Sequence, residues 1–308
     1  MTITSREYHG EADYQRVREL LIESYAITKR MHNWGLDRWD FFRFSGRVFD
    51  EMANSRGWEK DVRLWEDGSG KLVGVVNPED RGTVFVQIHP DHRHLEDEMF
   101  DWAERRHQAS RPEDADRWPL GTSVYEYDRE RAALLTQRGY RNLGLGGYKR
   151  RCALDRAIPD VPLPDGYSIR NVRGEDKEDL AKWAAVDNQA FNITKHTAET
   201  VQVRLRAPTY RQDLDLVAVA PDGTFASFCI VWFDEANRYG AFEPVGTHPA
   251  HRKRGLAKAT MCESLRRLRA LGGTMAYVGC GTDIAANRLY ESVGFIDFYR
   301  DYPWQKDF

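Results

Sequence analysis

The sequence predicts an α/β protein of the α+β kind, built from two tandem domains that share one plan. Its 308 residues exceed what one ordinary hydrophobic core holds. Strand-like and helix-like patterns alternate along both halves of the chain. Two landmarks recur in the same order: His89-Pro90 is repeated as His248-Pro249, and Gly139-Tyr140 as Gly294-Phe295. Duplication of one domain explains this repetition better than coincidence does.

The first half begins with an amphipathic helix, expected at residues 14–25. An aromatic-rich stretch follows, whose rings either form core or cage a cationic substrate, and core is the commoner role. The stretch contains Trp34, Trp39, Phe41, Phe42, Phe44, Phe49, Trp58 and Trp65. Strands are predicted at 62–65, 71–76 and 83–88, followed by a helix at 95–108 and a strand through Lys149.

The second half repeats this order. The patterns predict helices at 173–191 and 197–206, strands at 214–220, 227–233 and 240–247, a helix after residue 255, a strand at 275–279, a helix at 285–293 and a closing strand from Phe295. Three prolines make 156–166 the natural linker. We therefore expect a first domain at 1–155 and a second at 167–308.

Composition excludes several classes of protein. With 45 basic and 48 acidic residues, the net charge of −3 gives no overall field for nucleic acid or anionic membrane. The four cysteines lack paired spacing, which indicates reduced thiols in a cytoplasmic protein. The N-terminus is polar, and the longest apolar run, 225–233, is too short to span a bilayer. His89, His92 and His94 lack a wider ligand pattern, so we expect no metal.

The segment 243–257 has the most distinctive pattern. An apolar strand breaks at His248-Pro249, and Arg252-Lys253-Arg254-Gly255-Leu256-Ala257 then runs into a helical pattern. Backbone N–H groups at a helix N-terminus, surrounded by basic side chains, suit a pyrophosphate. Gly255 allows close approach of the backbone to a phosphate, and Ala257 leaves the first turn unobstructed. The segment therefore predicts a phosphate-binding loop.

This loop and a second element, Ala286 to Phe295, resemble the GNAT N-acetyltransferase family. Arg252-x-x-Gly255-x-Ala257 is similar to the family's acetyl-CoA-binding motif, and Leu289-Tyr290-Glu291 to its C-terminal helix. The resemblance implies two GNAT-like domains, each a mixed, mostly antiparallel twisted sheet flanked by helices. It also implies acetyl-CoA as acyl donor, bound by Arg252, Lys253, Arg254, Gly255, Leu256 and Ala257.

The same resemblance suggests roles around the loop. The preceding strand is expected to splay from its neighbour, so that Val245 and Thr247 hold the pantetheine arm. Pro244 lacks an N–H and fits a bulge or an unpaired edge. Glu243 is the candidate general base, acting through water; otherwise it is a surface or salt-bridged glutamate. Tyr290 is the candidate general acid near the coenzyme sulfur; otherwise it is a packed helix tyrosine.

Two further positions complete the expected coenzyme site. Asp283 stands where the family usually has an asparagine that contacts the pantetheine. Asn287, three residues before Tyr290, is placed to compensate from the same side of the helix.

The first copy differs from the second in the phosphate-binding loop and at the position of Tyr290. Glu96 and Glu98 stand where the second copy has Gly255 and Ala257, and carboxylates there repel a phosphate. Leu135 replaces the tyrosine. The first copy is therefore expected to be degenerate, with a structural or cleft-shaping role.

The function expected from the sequence is transfer of acetyl from acetyl-CoA to a primary amine of a small molecule or peptide, by direct attack in the second domain. The alternative is a non-catalytic acyl-CoA-binding or sensing protein. Acceptor specificity is expected in loops at 191–196, around Tyr210 and at 299–304, in a monomer or homodimer.

Overall fold

The structure, a computed structural model, describes residues 2–44 and 58–308. Contacts divide the chain into two units. Unit 1 comprises Met1–Trp39, Asp50–Gly147 and Tyr299–Phe308, and unit 2 comprises Asp40–Phe49 and Tyr148–Phe298. Phe49 and the side chain of Trp58, both in the aromatic stretch, lie outside the described residues.

Unit 1 contains an antiparallel sheet in the order β1-β2-β3-β4 and a separate ladder in which β5 pairs antiparallel with the C-terminal strand β13. The strands are β1 Thr4–Glu7, β2 Arg63–Glu66, β3 Leu72–Asn77, β4 Phe85–Ile88, β5 Leu120–Tyr125, β6 Arg141–Asn142 and β13 Asp297–Lys306. The helices are α1 Gly10–Thr28, α3 Glu96–Ala109 and α4 Arg129–Gln137, and α2 Leu36–Phe44 begins in unit 1 and ends among residues assigned to unit 2. Val73, Val86, Met99 and Phe100 lie in its buried core.

Unit 2 contains a mixed sheet in the order β7-β12-β11-β10-β9-β8. The β11–β12 pair is parallel and the other pairs are antiparallel. The strands are β7 Gly147–Ala153, β8 Ser168–Asn171, β9 Asp215–Val219, β10 Phe225–Asp234, β11 Tyr239–Thr247 and β12 Met275–Cys280. The helices are α5 Lys177–Phe191, α6 Ala198–Arg204, α7 Leu256–Ala270 and α8 Ile284–Val293.

The landmarks found in the sequence fold alike in both units. The Nδ1 atoms of His89 and His248 each accept a hydrogen bond from the N–H two residues later, both at 3.2 Å. Asp128 caps α4 and Asp283 caps α8, each by accepting from the N–H three residues on. Because the same side chains close the same turns, the two units repeat one plan.

The predicted helices and strands are largely confirmed, with differences of a few residues at their ends. The sequence missed α2, α4, β1, β5, β6 and β8. Trp39 and Trp65 are buried, and Trp39 stacks on Tyr14 at 6.0 Å between ring centroids. These described aromatics therefore form core. Across residues 2–44 and 58–308, no helix has the length and apolar character needed to cross a membrane.

The boundary between the two units does not lie at a single point in the Pro-rich segment 156–166. β7, which precedes that segment, pairs with β12 of unit 2, from Met275 opposite Ala153 to Cys280 opposite Tyr148. The C-terminal residues Tyr299–Phe308 belong to unit 1. The strand with which a segment pairs, and not its position along the chain, decides the unit to which it belongs. A boundary predicted from composition cannot detect such pairing.

Candidate functional site

A parting of two strands forms the centre of the site in unit 2. β11 and β12 pair from Tyr239 opposite Met275 to Phe242 opposite Val278. β11 then continues to Thr247 along β10 alone. A Cβ added at Gly279, just past the last pair, would lie more than 4 Å from every described atom outside its neighbours, so the face of β12 at this position is open.

The backbone of β11 faces this gap. The His248 N–H donates to the Ala226 carbonyl of β10 at 2.9 Å. Because hydrogen-bonding directions alternate along an antiparallel strand, the N–H groups of Val245 and Thr247 are directed away from β10, towards the gap. The register shifts between Cys229 and Val231 of β10, opposite Glu243-Pro244. The prediction that Pro244 lies at a bulge is thus confirmed, and β11 presents an available edge.

The loop before α7 has the backbone of an anion site. Lys253 and Gly255 are left-handed, with φ of 62° and 78°, and Gly255 caps the helix. A Cβ on Gly255 would meet no described atom within 4 Å, which leaves space over the helix N-terminus. The side chain of Leu256 is buried, so what it offers a ligand is its backbone N–H. These N–H groups and the helix dipole attract an anion.

The basic side chains of the loop are all exposed, but they differ in their contacts. The Arg252 guanidinium donates to the carbonyls of Ala190, at 2.9 Å, and Thr247, at 3.3 Å, so it holds the loop in shape. Lys253 and Arg254 are exposed. Arg254 donates to the Tyr167 hydroxyl at 3.0 Å.

The two candidate catalytic side chains lie close enough to interact electrostatically. Tyr290 is 8% exposed and half-buried Glu243 borders the parted strand. Burial raises the pKa of Tyr290 above its usual range, and the charges of Cys280 and Glu243 act in the same direction. A phenol with the ordinary pKa of 10.0 is already protonated at neutral pH, as a proton donor must be, and the shift strengthens this.

Asp283 and Asn287 already have intramolecular partners. The Asp283 carboxylate accepts from the Ala286 N–H at 2.8 Å and caps α8. The Asn287 amide donates to the carbonyls of Gly281, at 3.0 Å, and Asp283, at 2.7 Å. Both side chains thus fix the turn that leads into the helix of Tyr290.

In unit 1, the side chain of Glu96 lies at the helix N-terminus, at the position that Gly255 leaves open in unit 2. Glu96, the counterpart of Gly255, is buried and accepts from Arg93 at 2.7 Å and from Arg131 at 2.8 Å. Arg93, the counterpart of Arg252, also donates to Asp128 at 2.7 Å. Although burial opposes ionisation, the charge and hydrogen bond of Arg131 keep the pKa of Glu96 below its usual value. The unit supplies its own anion at this position.

The outer edge of β4, the last strand in the order β1-β2-β3-β4, is also occupied from within unit 1. Ile88 is the counterpart of Thr247. The backbone N–H of Ile88 donates to Asn33 Oδ1 at 2.9 Å, and the Ile88 carbonyl accepts from Asn33 Nδ2 at 2.9 Å. The Tyr127 hydroxyl donates to the Met31 carbonyl at 2.8 Å. The segment after α1 thus occupies the edge that β11 leaves available in unit 2.

Sequence reasoning missed several residues that shape these sites, among them Arg150, Tyr167 and Asn33. Each acts through a partner distant in the sequence, and such pairings carry no local signal. No group of three or more His, Cys, Asp or Glu side chains in the described ranges is arranged to hold a metal ion.

Comparison with known proteins finds a family match over the part of the chain that contains this site. The acetyltransferase (GNAT) family model matches residues 179–295, which include the parted strands, the loop before α7 and Tyr290. The protein is an acyltransferase with a GNAT domain. Proteins of this family use acetyl-CoA as acyl donor.

Relatives and solved structures agree with the family match. The chain is 27% identical over 260 residues to a mycothiol acetyltransferase of Paenarthrobacter aurescens, covering 79% of this chain and 76% of the relative. It is 34% identical over 149 residues, 46% of each chain, to that of Kineococcus radiotolerans. A tandem GNAT protein from the clavulanic acid biosynthesis pathway superposes with a TM-score of 0.65 at 17% identity, over 99% of this chain and 98% of its own. The last match supports the fold alone.

Proposed function

We propose that unit 2 transfers the acetyl group of acetyl-CoA to a primary amine of a small molecule or peptide, by direct attack of the amine. One observation carries the proposal: the open edge of β11 leads to an anion-ready helix N-terminus, with Glu243 and Tyr290 beside that edge.

The coenzyme fits two features of the unit. The pyrophosphate would lie over the N–H groups of Gly255, Leu256 and Ala257, with Lys253 and Arg254 contributing positive charge. The pantetheine arm would take the N–H groups of Val245 and Thr247 in the manner of an added strand. Arg252 would act by holding the loop. Asp283 and Asn287 would border the arm through the turn that they fix.

When bound, acetyl-CoA supplies the activated thioester. The Glu243 carboxylate takes a proton from the incoming ammonium through a water, which leaves a nucleophilic amine. The amine nitrogen attacks the thioester carbon, and the C–S bond breaks as the new C–N bond forms. The Tyr290 hydroxyl gives its proton to the departing sulfur, and the proton that the new amide nitrogen loses restores the phenol. The N–H groups of β11 orient the thioester carbonyl.

The remaining parts of the proposal concern the rest of the chain. Unit 1 is a degenerate copy without a coenzyme, since Glu96 and Asn33 occupy the equivalent positions. The described relatives are mycothiol acetyltransferases, which supports a small-molecule acceptor. A cytoplasmic monomer or homodimer without a nucleic-acid, membrane or metal partner is proposed from the composition.

The test is a turnover assay with acetyl-CoA and a panel of primary amines, following release of the free thiol. The proposal predicts amine-dependent release that falls at least tenfold in Glu243→Gln, a change that keeps size and removes charge. Tight acetyl-CoA binding without turnover on any amine would instead favour a non-catalytic acyl-CoA-binding or sensing protein.

A further inference from the structure

Arg150 is a buried arginine on β7, the strand that precedes the Pro-rich segment and yet pairs in unit 2. It stands opposite Val278 of β12, and its side chain is 5% exposed. The guanidinium lies near the rings of Tyr148 and Phe298, 5.6 and 5.3 Å from their centroids. A guanidinium is always charged, so its burial requires partners that take up its donors.

The oxygen atoms that accept its hydrogen bonds lie on α8 or just beyond its end. Nε donates to Asn287 Oδ1 at 2.8 Å, and Nη2 donates to Glu291 Oε1 at 2.7 Å. Nη1 donates to the Phe295 carbonyl at 3.0 Å. Asn287 and Glu291 are four residues apart and so lie on one face of the helix. One rigid group therefore holds α8 at two points and the chain just beyond its end at a third.

Tyr290 lies between the first two of these points. Its ring is buried and packs against Phe295 at 6.3 Å between centroids. The Asn287 amide that receives Arg150 also holds the turn before the helix through Gly281. Because the helix is short, a shift at the guanidinium would move the phenol with it. Misplacement of a catalytic group by about 1 Å can cost roughly a hundredfold in rate.

We propose that Arg150 is a positioning residue for acyl transfer, which sets the place of the Tyr290 hydroxyl by fixing α8 against β7. This rests on the proposed function, in which Tyr290 donates the proton. Arg150 acts through α8, and its role is distinct from that of the loop before α7.

The experiment is a double-mutant cycle in the full-length protein, with kcat and KM for acetyl-CoA measured at each corner. Arg150→Met is expected to lower kcat roughly ten- to a hundredfold and to change KM less than about threefold. In the Tyr290→Phe background the same substitution should change kcat less than about threefold, because the group it positions is gone. Arg150→Lys, which keeps the charge without the planar fork, should recover part of the loss.

Arg170→Met is the matched control. Arg170 is also a strand arginine of unit 2, but it pairs with Asp179 at 2.6 Å. It should lower the melting temperature without lowering kcat. If Arg150→Met fails to fold, Glu291→Gln weakens one of the three contacts and should lower kcat a few-fold with Tyr290 present and not in its absence.

Equal losses of kcat in both backgrounds would show a purely structural role and overturn the proposal, as would wild-type kcat in Arg150→Met. A Tyr290→Phe protein with wild-type kcat would remove the acid assignment of the proposed function itself. The two failures are therefore distinguishable.

Discussion

Replacement of Gly255 by glutamate would place in unit 2 the residue type found at the equivalent position of unit 1, Glu96. The φ of 78° at Gly255 strains any L-residue by about 1–2 kcal/mol. A Cβ there meets no described atom within 4 Å, so the first atom of the added side chain has room. The substitution should therefore leave the fold intact and act on the anion site.

The effect on affinity follows from charge. Taking about 5 Å between the new carboxylate and one phosphate charge, and an effective dielectric constant of about 20, the repulsion is about 3 kcal/mol. That corresponds to roughly a hundredfold weaker binding of acetyl-CoA, and a second phosphate charge would add to it.

Calorimetric titration with acetyl-CoA measures this loss. Gly255→Gln separates charge from size and strain, and should bind more tightly than Gly255→Glu. Gly272→Glu is a control at the other end of α7, where a glycine with φ of 88° also stands clear of the backbone. It should leave the affinity unchanged. An affinity for acetyl-CoA unaltered in Gly255→Glu would refute the assignment of the loop.

Three further predictions concern the proton donor, the acid stability and the packing of the sheet. Tyr290→Phe should lower kcat by about a hundredfold at unchanged affinity for acetyl-CoA, and equal loss of both would contradict an acid role. Burial alone would raise the pKa of Asp128 and Glu96, but contacts with His32 and Arg131 outweigh it and lower both. The stabilisation that these two carboxylates give the folded protein is therefore present above the ordinary pKa values of 3.8 and 4.5 and is lost as the pH falls below them. Denaturant titrations from pH 7 to 3 should show this loss of stability. A free energy of unfolding that does not change below pH 4.5 would contradict it. Gly246→Ala should destabilise the protein by about 1–3 kcal/mol in denaturant unfolding, because its Cβ would lie 2.4 Å from the Phe228 ring; an unchanged midpoint would show that the ring moves freely.

The loop before α7 could be predicted from sequence because its determinants are local. Gly255 is needed for a positive φ, the break at Pro249 ends the strand, and the basic residues are adjacent in the chain. The repeat was also visible, since His89 and His248 each close a turn with the residues next to them. Short-range hydrogen bonds leave a sequence signal at fixed spacing.

Other features depend on partners far along the chain. The residues of β7 predict a strand, but nothing in them indicates that Arg150 donates a hydrogen bond to Asn287 on α8. The same holds for Asn33, whose amide fills the edge at Ile88. The sequence placed a repelling carboxylate at Glu96, whereas the structure shows it neutralised by Arg131. Tertiary contacts, and not local propensity, decide these positions.

The central claim is that unit 2 binds acetyl-CoA, whereas in unit 1 the side chains of Glu96 and Asn33 occupy the equivalent positions. The most direct measurement is the stoichiometry of acetyl-CoA per full-length chain by calorimetric titration. We predict one site, which Gly255→Glu weakens and Glu96→Gln leaves unchanged. Two sites would contradict the degenerate assignment of unit 1, and no binding would contradict the proposed coenzyme site of unit 2.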